Sequence, residues 1–374
     1  MTYTKIDNID IAKEILRSNS FGTVNLKDHL YKLQEASKID FSTLIFFCEE
    51  SFVFQSGESH LESRRYLSTF FNKKNAELWR KTIQTQIRFV FEKIPFEEEV
   101  DLLLYFTDPI YLLSVKNIIG VDFDNDIDFL SLVNTAKNFT EPILSLKKNQ
   151  KLQESISSIN NLVKKSLKKN QKKSNSLIEV LDNHKEMSLE QKSVLITSVI
   201  IAAHTMSETL LIIIYKLSKT EGDLWGDVKN IQWIEERIDG FLRLFPTTQR
   251  IVRKTLKTTS IMDVTFKAGT IIQIQVPIAN RDHRFTPEKE ILKGKIEASC
   301  PINHVSFGGG KHLCPGVALS KLVLSEAISF LASNSKVMFS SVKPIIWTES
   351  FMIKKPTQMK CILKGTNSQK DVLE

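Results

Sequence analysis

Cysteine, glycine and proline are all sparse in this chain of 374 residues, which holds 4 Cys, 13 Gly and 10 Pro. The scattered Cys48, Cys300, Cys314 and Cys361 cannot frame a disulfide-stapled secreted domain, and no CxxC pair or Cys/His spacing suggests a zinc site. So little Gly and Pro excludes collagenous and low-complexity chains, and 42% hydrophobic with 25% charged residues is ordinary globular composition. The opening Met1-Thr2-Tyr3-Thr4-Lys5-Ile6-Asp7 lacks the apolar run of a signal peptide, so a reducing cytoplasm is the expected location. Long uninterrupted apolar runs are also missing. The greasiest stretch, Val194 to Leu217, is broken by Thr197, Ser198, His204, Thr205, Ser207, Glu208 and Lys216, and reads as a core helix rather than a membrane span.

The charge is basic, with 51 Lys+Arg against 43 Asp+Glu and a net +8. That balance suits an acidic partner. Much of the excess lies in Lys147, Lys148, Lys151, Lys164, Lys165, Lys168, Lys169, Lys172 and Lys173, which reads as a solvated face, and no nucleic-acid module accompanies it. Neither nucleic acid nor membrane is an expected partner.

Apolar residues recur at helical spacing over Asp7 to Arg17, Leu61 to Val90, Asn160 to Leu167, Ser176 to His184 and Leu189 to Ser218. A strand is expected at Gly269 to Pro277, after the turn Lys267-Ala268-Gly269, with further β segments at Lys336 to Phe339 and Met359 to Leu363. No repeat or Pro/Ser-rich linker divides the chain. The expected fold is therefore mainly α with a small β portion, one domain over residues 1–374.

The sharpest feature is Phe307-Gly308-Gly309-Gly310-Lys311-His312-Leu313-Cys314-Pro315-Gly316, followed by the amphipathic run Val317 to Leu324. Glycines permit a tight loop, and Pro315 suits a first helical position, which puts Cys314 at the expected N-cap. Free amides and the dipole there favour a thiolate, and axial ligation of iron in a flat cofactor is its natural use. A buried structural cysteine beside a Gly-rich turn and a phosphate loop are weaker readings, the second because Gly310-Lys311-His312 lacks the Lys-Ser/Thr continuation at the helix start.

These ten residues resemble the haem-binding signature of the cytochrome P-450 superfamily in its soluble bacterial form. The resemblance implies haem b as cofactor, with the haem between a long central helix and the Cys-ligand loop and helix. It makes Cys314 the iron ligand, Phe307 the aromatic beside it, Gly310 and Gly316 the defining glycines, and His312 a propionate contact. His60-Leu61-Glu62-Ser63-Arg64 looks like the family's propionate-binding helix, with His60 and Arg64 on one face. Arg253 and His304 fall where two more propionate contacts are implied, and Ala279-Asn280-Arg281-Asp282 looks like the close of the family's β region. On the central helix, Thr205 occupies the alcohol position and His204 the acid position of the pair linked to proton delivery. Thr205 bonding back to its own helix, with His204 facing away, is the equal alternative.

Three departures accompany the resemblance. Asp239-Gly240-Phe241-Leu242-Arg243 resembles the family's Glu-x-x-Arg helix with Gly240 in place of the glutamate, so an Asp239–Arg243 pair is the expected substitute. No arginine between Phe285 and Asn303 supplies the third member of that network. The segment Asn8 to Leu16 looks like a helix that in the family follows a longer N-terminal stretch, which implies a shortened N-terminus lacking a helix and part of the β region. Phe46, Phe47, Phe52, Val53 and Phe54, within Asp40 to Gly57, fall where the family roofs its substrate pocket.

The resemblance implies a monooxygenase that oxidises a small organic, secondary-metabolite or carrier-bound substrate with dioxygen. Electrons would come from a ferredoxin or flavodoxin and its reductase, docked on a basic face of Arg65, Lys73, Lys74, Arg80, Lys81, Lys311 and Lys321. The alternatives are a peroxide-driven or otherwise atypical haem-thiolate enzyme, or a haem-binding sensor or pseudoenzyme without turnover.

Overall fold

The computed structural model describes residues 3–219, 224–292, 304–339 and 345–365. Cys300, and most of the stretch between Phe285 and Asn303, lie outside them.

Helices build the body, with a small β portion as expected from the sequence, and the described residues form three small sheets. The Leu61 to Val90 periodicity resolves into two helices, Gly57–Phe70 and Lys73–Phe91. Asn72 divides them: its side chain accepts from the Asn75 amide and caps the second helix. Ser188 opens the central helix with a capping box completed by Gln191. The helices Leu189–Ala203, Thr205–Ser218 and Val317–Asn334 carry long runs of fully buried Ile, Leu and Val, which places them inside the main core. The spans Leu189–Ser218 and Val317–Asn334 are apolar and long enough to cross a membrane, but 72% and 56% of their most apolar windows are buried in the protein, so both read as core.

The first sheet runs in the order Tyr3–Ile6, Ile271–Gln275, Arg250–Thr255, Phe21–Gly22. Its outer strand pairs parallel with Ile271–Gln275, Tyr3 opposite Ile271, so the first described residues contribute a strand to this sheet. Gly269 turns into the sheet at φ +84°. A smaller core of Ile9, Ala12, Ile15, Leu16, Ile272, Ile274 and Val305 joins the helix Ile9–Arg17 to this sheet and to the base of the glycine loop. The C-terminal β segments form as read, Ser335–Phe339 pairing antiparallel with Lys354–Gly365.

The lysine-rich stretch is largely solvated. Lys164, Lys169 and Lys172 pair with Glu190, Asp122 and Asp182 at its edges.

Candidate functional site

The glycine loop folds back on itself: the Cys314 amide donates to the Phe307 carbonyl at 2.9 Å, and Gly308 and Gly310 adopt φ +74° and +60°. The end of the helix Ile9–Arg17 lies over the loop, where a Cβ on Gly310 would stand 2.9 Å from the Leu16 carbonyl carbon and 3.0 Å from Arg17 Cα. Gly310 is thus demanded twice, by its left-handed backbone and by a neighbouring main chain. One expectation needs correction. The helix begins at Val317 with Gly316 as its N-cap, so Cys314 precedes the N-cap by two residues. Pro315 extends the loop instead of opening the helix, and the Gly316 amide is the backbone donor that favours the Cys314 thiolate. Burial works the other way and pushes the thiol up, with Arg64 a lesser opposing influence.

Cys314 opens onto a mainly apolar cavity of about 400 Å³. Phe307, Gly308, His312, Cys314, Pro315 and Gly316 form one wall, and Ala202, Ala203, Thr205, Met206 and Thr209 face them from the central helices. Phe52 and Val53 also line it, so part of the aromatic run serves the pocket, while Phe47 and Phe54 pack edge-on against Phe139.

The cavity rim gathers basic groups from distant segments. Arg253 lines it from the strand Arg250–Thr255, and His60 lies with its ring centroid 4.1 Å from that of His312 and stacks on Phe52. Arg64, one helical turn from His60, donates to the Leu313 carbonyl beside Cys314. Among the described residues no carboxylate pairs with His60, Arg64, Arg253 or His312, and the Nε2 atoms of both histidines are buried without a partner. Crowded cations depress one another. Burial, then Arg64, Lys311 and Arg253, push His60 down to about 4; burial, Arg253, His60, Lys311 and Arg64 push His312 down to about 3; and burial takes Arg253 down to about 10. Such a rim lacks two anions. A flat cofactor with a pair of carboxylates on one edge and a metal open to a thiolate matches both the orphaned donors and Cys314, so these residues fit haem.

Two candidate residues lie elsewhere. His304 is buried outside the cavity, its Nε2 3.2 Å from Asp239 Oδ1 and its Nδ1 accepting from the Ser306 amide, and so is not placed as a propionate contact. His204 turns away from the cavity into a buried pocket, with Nε2 3.0 Å from Asp108 Oδ1 and Nδ1 2.6 Å from Lys137 Nζ. It also interrupts the expected single helix, which ends at Ala203 and restarts at Thr205. Thr205 faces the cavity but donates to the Ala202 carbonyl at 2.8 Å, which leaves its oxygen free to accept.

The expected Asp239–Arg243 pair does not form. Asp239 takes Lys321 at 2.5 Å together with His304, whereas Arg243 donates to the carbonyls of Asn280 and Thr286 at 2.9 and 2.6 Å. Asn280, fully buried, appeared in the sequence only as part of the Ala279 to Asp282 segment, with no sign of its structural role. Its amide donates to the Arg243 carbonyl and Ser306 Oγ, and its oxygen accepts from the Val305 amide, so one side chain ties the Ile231–Leu244 helix to the start of the glycine loop.

On the other side of Cys314 a second cavity of about 490 Å³ is lined by Arg64, Lys73, Glu77, Arg80, Glu235 and Lys321 among others. Arg80 is engaged by Glu77, Glu235 and Glu326, and Lys321 by Asp239. The basic face is therefore narrower than the sequence implied, leaving Arg65, Lys73, Lys74 and Lys81 exposed.

The Cytochrome P450 family model matches residues 89–361. The biotin biosynthesis cytochrome P450 of Bacillus subtilis is 23% identical over 318 residues, covering 82% of this chain and 79% of that protein. The beta-dihydromenaquinone-9 omega-hydroxylase of Mycobacterium tuberculosis is 22% identical over 315 residues, covering 81% of this chain but only 62% of that enzyme's length. Among solved structures, P450BioI in complex with an acyl carrier protein ligated to hexadec-9Z-enoic acid superposes with a TM-score of 0.82 at 18% identity, covering 96% of this chain and 92% of that one. CalO2 superposes at 0.85 and 13% identity, with 97% and 91% covered. The family match, which runs across most of the chain, shows that the chain belongs to the cytochrome P450 family.

Proposed function

We propose that this chain, as one domain over residues 1–374, is a haem-thiolate monooxygenase with Cys314 as the iron ligand. The observation that carries the reading is the shared cavity: the Cys314 thiol, an apolar chamber and the basic Arg253 and His312 line one space, with His60 packed behind His312 and Arg64 on the Leu313 carbonyl. In monooxygenation one oxygen atom of dioxygen enters the substrate and the other leaves as water, with two electrons and two protons consumed. When bound, haem b supplies oxygen activation at iron, and a thiolate ligand favours O–O cleavage.

The chain's residues have separable tasks. His60, Arg64, Arg253 and His312 hold the cofactor's carboxylates, and each gains the opposite charge that its surroundings lack. The Phe307 carbonyl accepts from the Cys314 amide and so folds the loop back, Gly310 lets the loop pass under the end of the helix Ile9–Arg17, and Gly316 lies beside the Cys314 sulfur; this loop would present the thiolate to the cofactor. Val115, Ile118, Ile119, Val199 and Met206 exclude water and favour an apolar organic substrate. Thr205 can accept a hydrogen bond at the cavity face.

The substrate is a small apolar molecule, free or attached to a carrier; the carrier-bound form is suggested by the acyl carrier protein complex of P450BioI. Electrons arrive from a ferredoxin or flavodoxin, in the cytoplasm, across the face bearing Arg65, Lys73, Lys74 and Lys81. Reversing the charge of Lys73 and Lys74 is expected to slow reduction by about tenfold at low salt and to flatten its salt dependence.

Withdrawal of His204 from the cavity favours one other reading, a peroxide-driven enzyme that bypasses dioxygen and reductant. Incubation of the haem-loaded protein with candidate apolar substrates separates the two. Substrate-dependent NADPH consumption with a surrogate ferredoxin pair supports the monooxygenase, turnover with peroxide alone supports the alternative, and neither would leave a binding protein.

A further inference from the structure

A sealed polar cluster lies behind the break in the central helix. Lys137, in the short turn Lys137–Thr140, is 5% exposed, and its Nζ lies 2.6 Å from His204 Nδ1 and 2.5 Å from Glu208 Oε1. His204 Nε2 reaches Asp108 Oδ1, which also accepts from Ser207 Oγ at 2.5 Å. Glu208 Oε2 is buried with no partner. Lys137 lines the cavity, whereas His204, Glu208 and Asp108 do not.

Packing alone does not call for this arrangement, because apolar side chains would fill the same space without the desolvation cost of four ionisable groups. The Lys137–His204 contact has one chemical consequence. Two N–H groups cannot point at each other across 2.6 Å, so the contact holds a single proton, either on an ammonium facing a bare Nδ1 or on Nδ1 facing a neutral amine. With Asp108 and Glu208 ionised, both forms leave the cluster with one net negative charge, one proton short of neutrality. The orphaned Glu208 Oε2 is the acceptor for the proton that would neutralise it. Burial lowers the hold of Lys137 on its proton and Lys355 adds to this, while Glu208 and Asp108 oppose it; Tyr111 packs its ring against His204.

We propose that Lys137 is the proton-holding residue that serves the cavity, with Glu208, His204 and Asp108 as the buried reserve behind it. The inference rests on the monooxygenase reading, whose reaction consumes two protons. In the loaded, neutral cluster Glu208 carries the additional proton. A proton released from Nζ to the cavity is replaced from Glu208 or from His204 Nδ1, the cluster becomes singly negative, and one proton from solvent restores it. No electrons change hands.

Lys137→Arg provides the test, because arginine keeps the cation beside Glu208 but does not give up a proton. Ring-nitrogen NMR of the haem-loaded protein, reduced under carbon monoxide, should show the wild-type His204 Nδ1 signal displaced from that of a bare acceptor toward that of a nitrogen sharing a proton, and in Lys137→Arg at the bare-acceptor position. The variant should also lose at least about tenfold in product formed per NADPH, with the balance appearing as peroxide, and show a larger solvent deuterium effect. An Arg variant within twofold of wild-type coupling would make Lys137 a structural cation and overturn the proposal, as would a wild-type Nδ1 signal at the bare-acceptor position. The NMR arm needs only the wild type should the variant not fold. A displaced signal in a protein that turns over nothing would leave the shared proton standing and remove the monooxygenase reading instead.

Discussion

Replacing Gly310 by alanine perturbs the site at a point where the cost can be worked out from backbone geometry. The residue sits at φ +60°, a left-handed conformation that costs an L-residue roughly 1–2 kcal/mol. The new methyl would press on main-chain atoms of Leu16 and Arg17, the nearest carbons at 2.9 and 3.0 Å and the Leu16 carbonyl oxygen closer still. No side chain can swing aside, so the end of the helix Ile9–Arg17 must move, and overpacking of this kind costs roughly 1–3 kcal/mol. Together the penalty is ~2–5 kcal/mol. An unfolding entropy of roughly 2.1 cal/mol/K per residue over a chain of this length turns that into a fall in Tm of ~3–6 °C. Gly309→Ala is the control. Gly309 is extended, and a methyl there meets only the Leu16 side chain at 3.3 Å, so its cost should stay under about 1.5 kcal/mol. Melting of the two variants by circular dichroism, with haem content measured in parallel, checks the argument. Equal Tm values for Gly310→Ala and Gly309→Ala would refute it.

Asn280→Ala should cost about 2–4 kcal/mol, because it removes three hydrogen bonds and strands the buried Val305 amide; urea midpoints measure it, and a loss below about 1 kcal/mol would deny Asn280 its tying role. His60 predicts a pH dependence. Its folded value of about 4 lies below the usual histidine range near 6.5, so the unfolded chain takes up the proton first as pH falls. Stability of the haem-free protein is therefore full above about pH 6.5 and declines toward pH 4, and His60→Gln should make that decline shallower in urea titrations at pH 7 and 5. An identical slope in the variant would contradict the assignment. Haem loading should also flatten it, since two carboxylates at the rim stabilise the protonated imidazole.

The parts of this site that could be read from sequence are those written in local spacing. His60 and Arg64 stand one turn apart on a helix, and Gly310, His312 and Cys314 occupy one short loop whose backbone needs are local. Arg253 was expected at the rim from the resemblance alone, and the strand Arg250–Thr255 carries it to the cavity wall. The parts left open or misread depend on partners far away in sequence. His204 faces Asp108, 96 residues earlier, and Asp239 prefers Lys321, 82 residues later, over an arginine on its own helix. No periodicity carries such choices, which follow from how helices pack. The start of the Val317–Asn334 helix was missed for a subtler reason: proline fits a first helical position and a loop equally well, and the fold-back of Cys314 onto Phe307 decides for the loop.

The central claim is that Cys314 ligates haem iron, and the difference spectrum of the reduced, haem-loaded protein under carbon monoxide tests it most directly, with Cys314→Ser alongside. The account predicts a thiolate-type Soret band in the wild type that is lost in the variant while haem remains bound through His60, Arg64, Arg253 and His312. A band unchanged by the substitution, or a wild-type protein that takes up no haem, would contradict it.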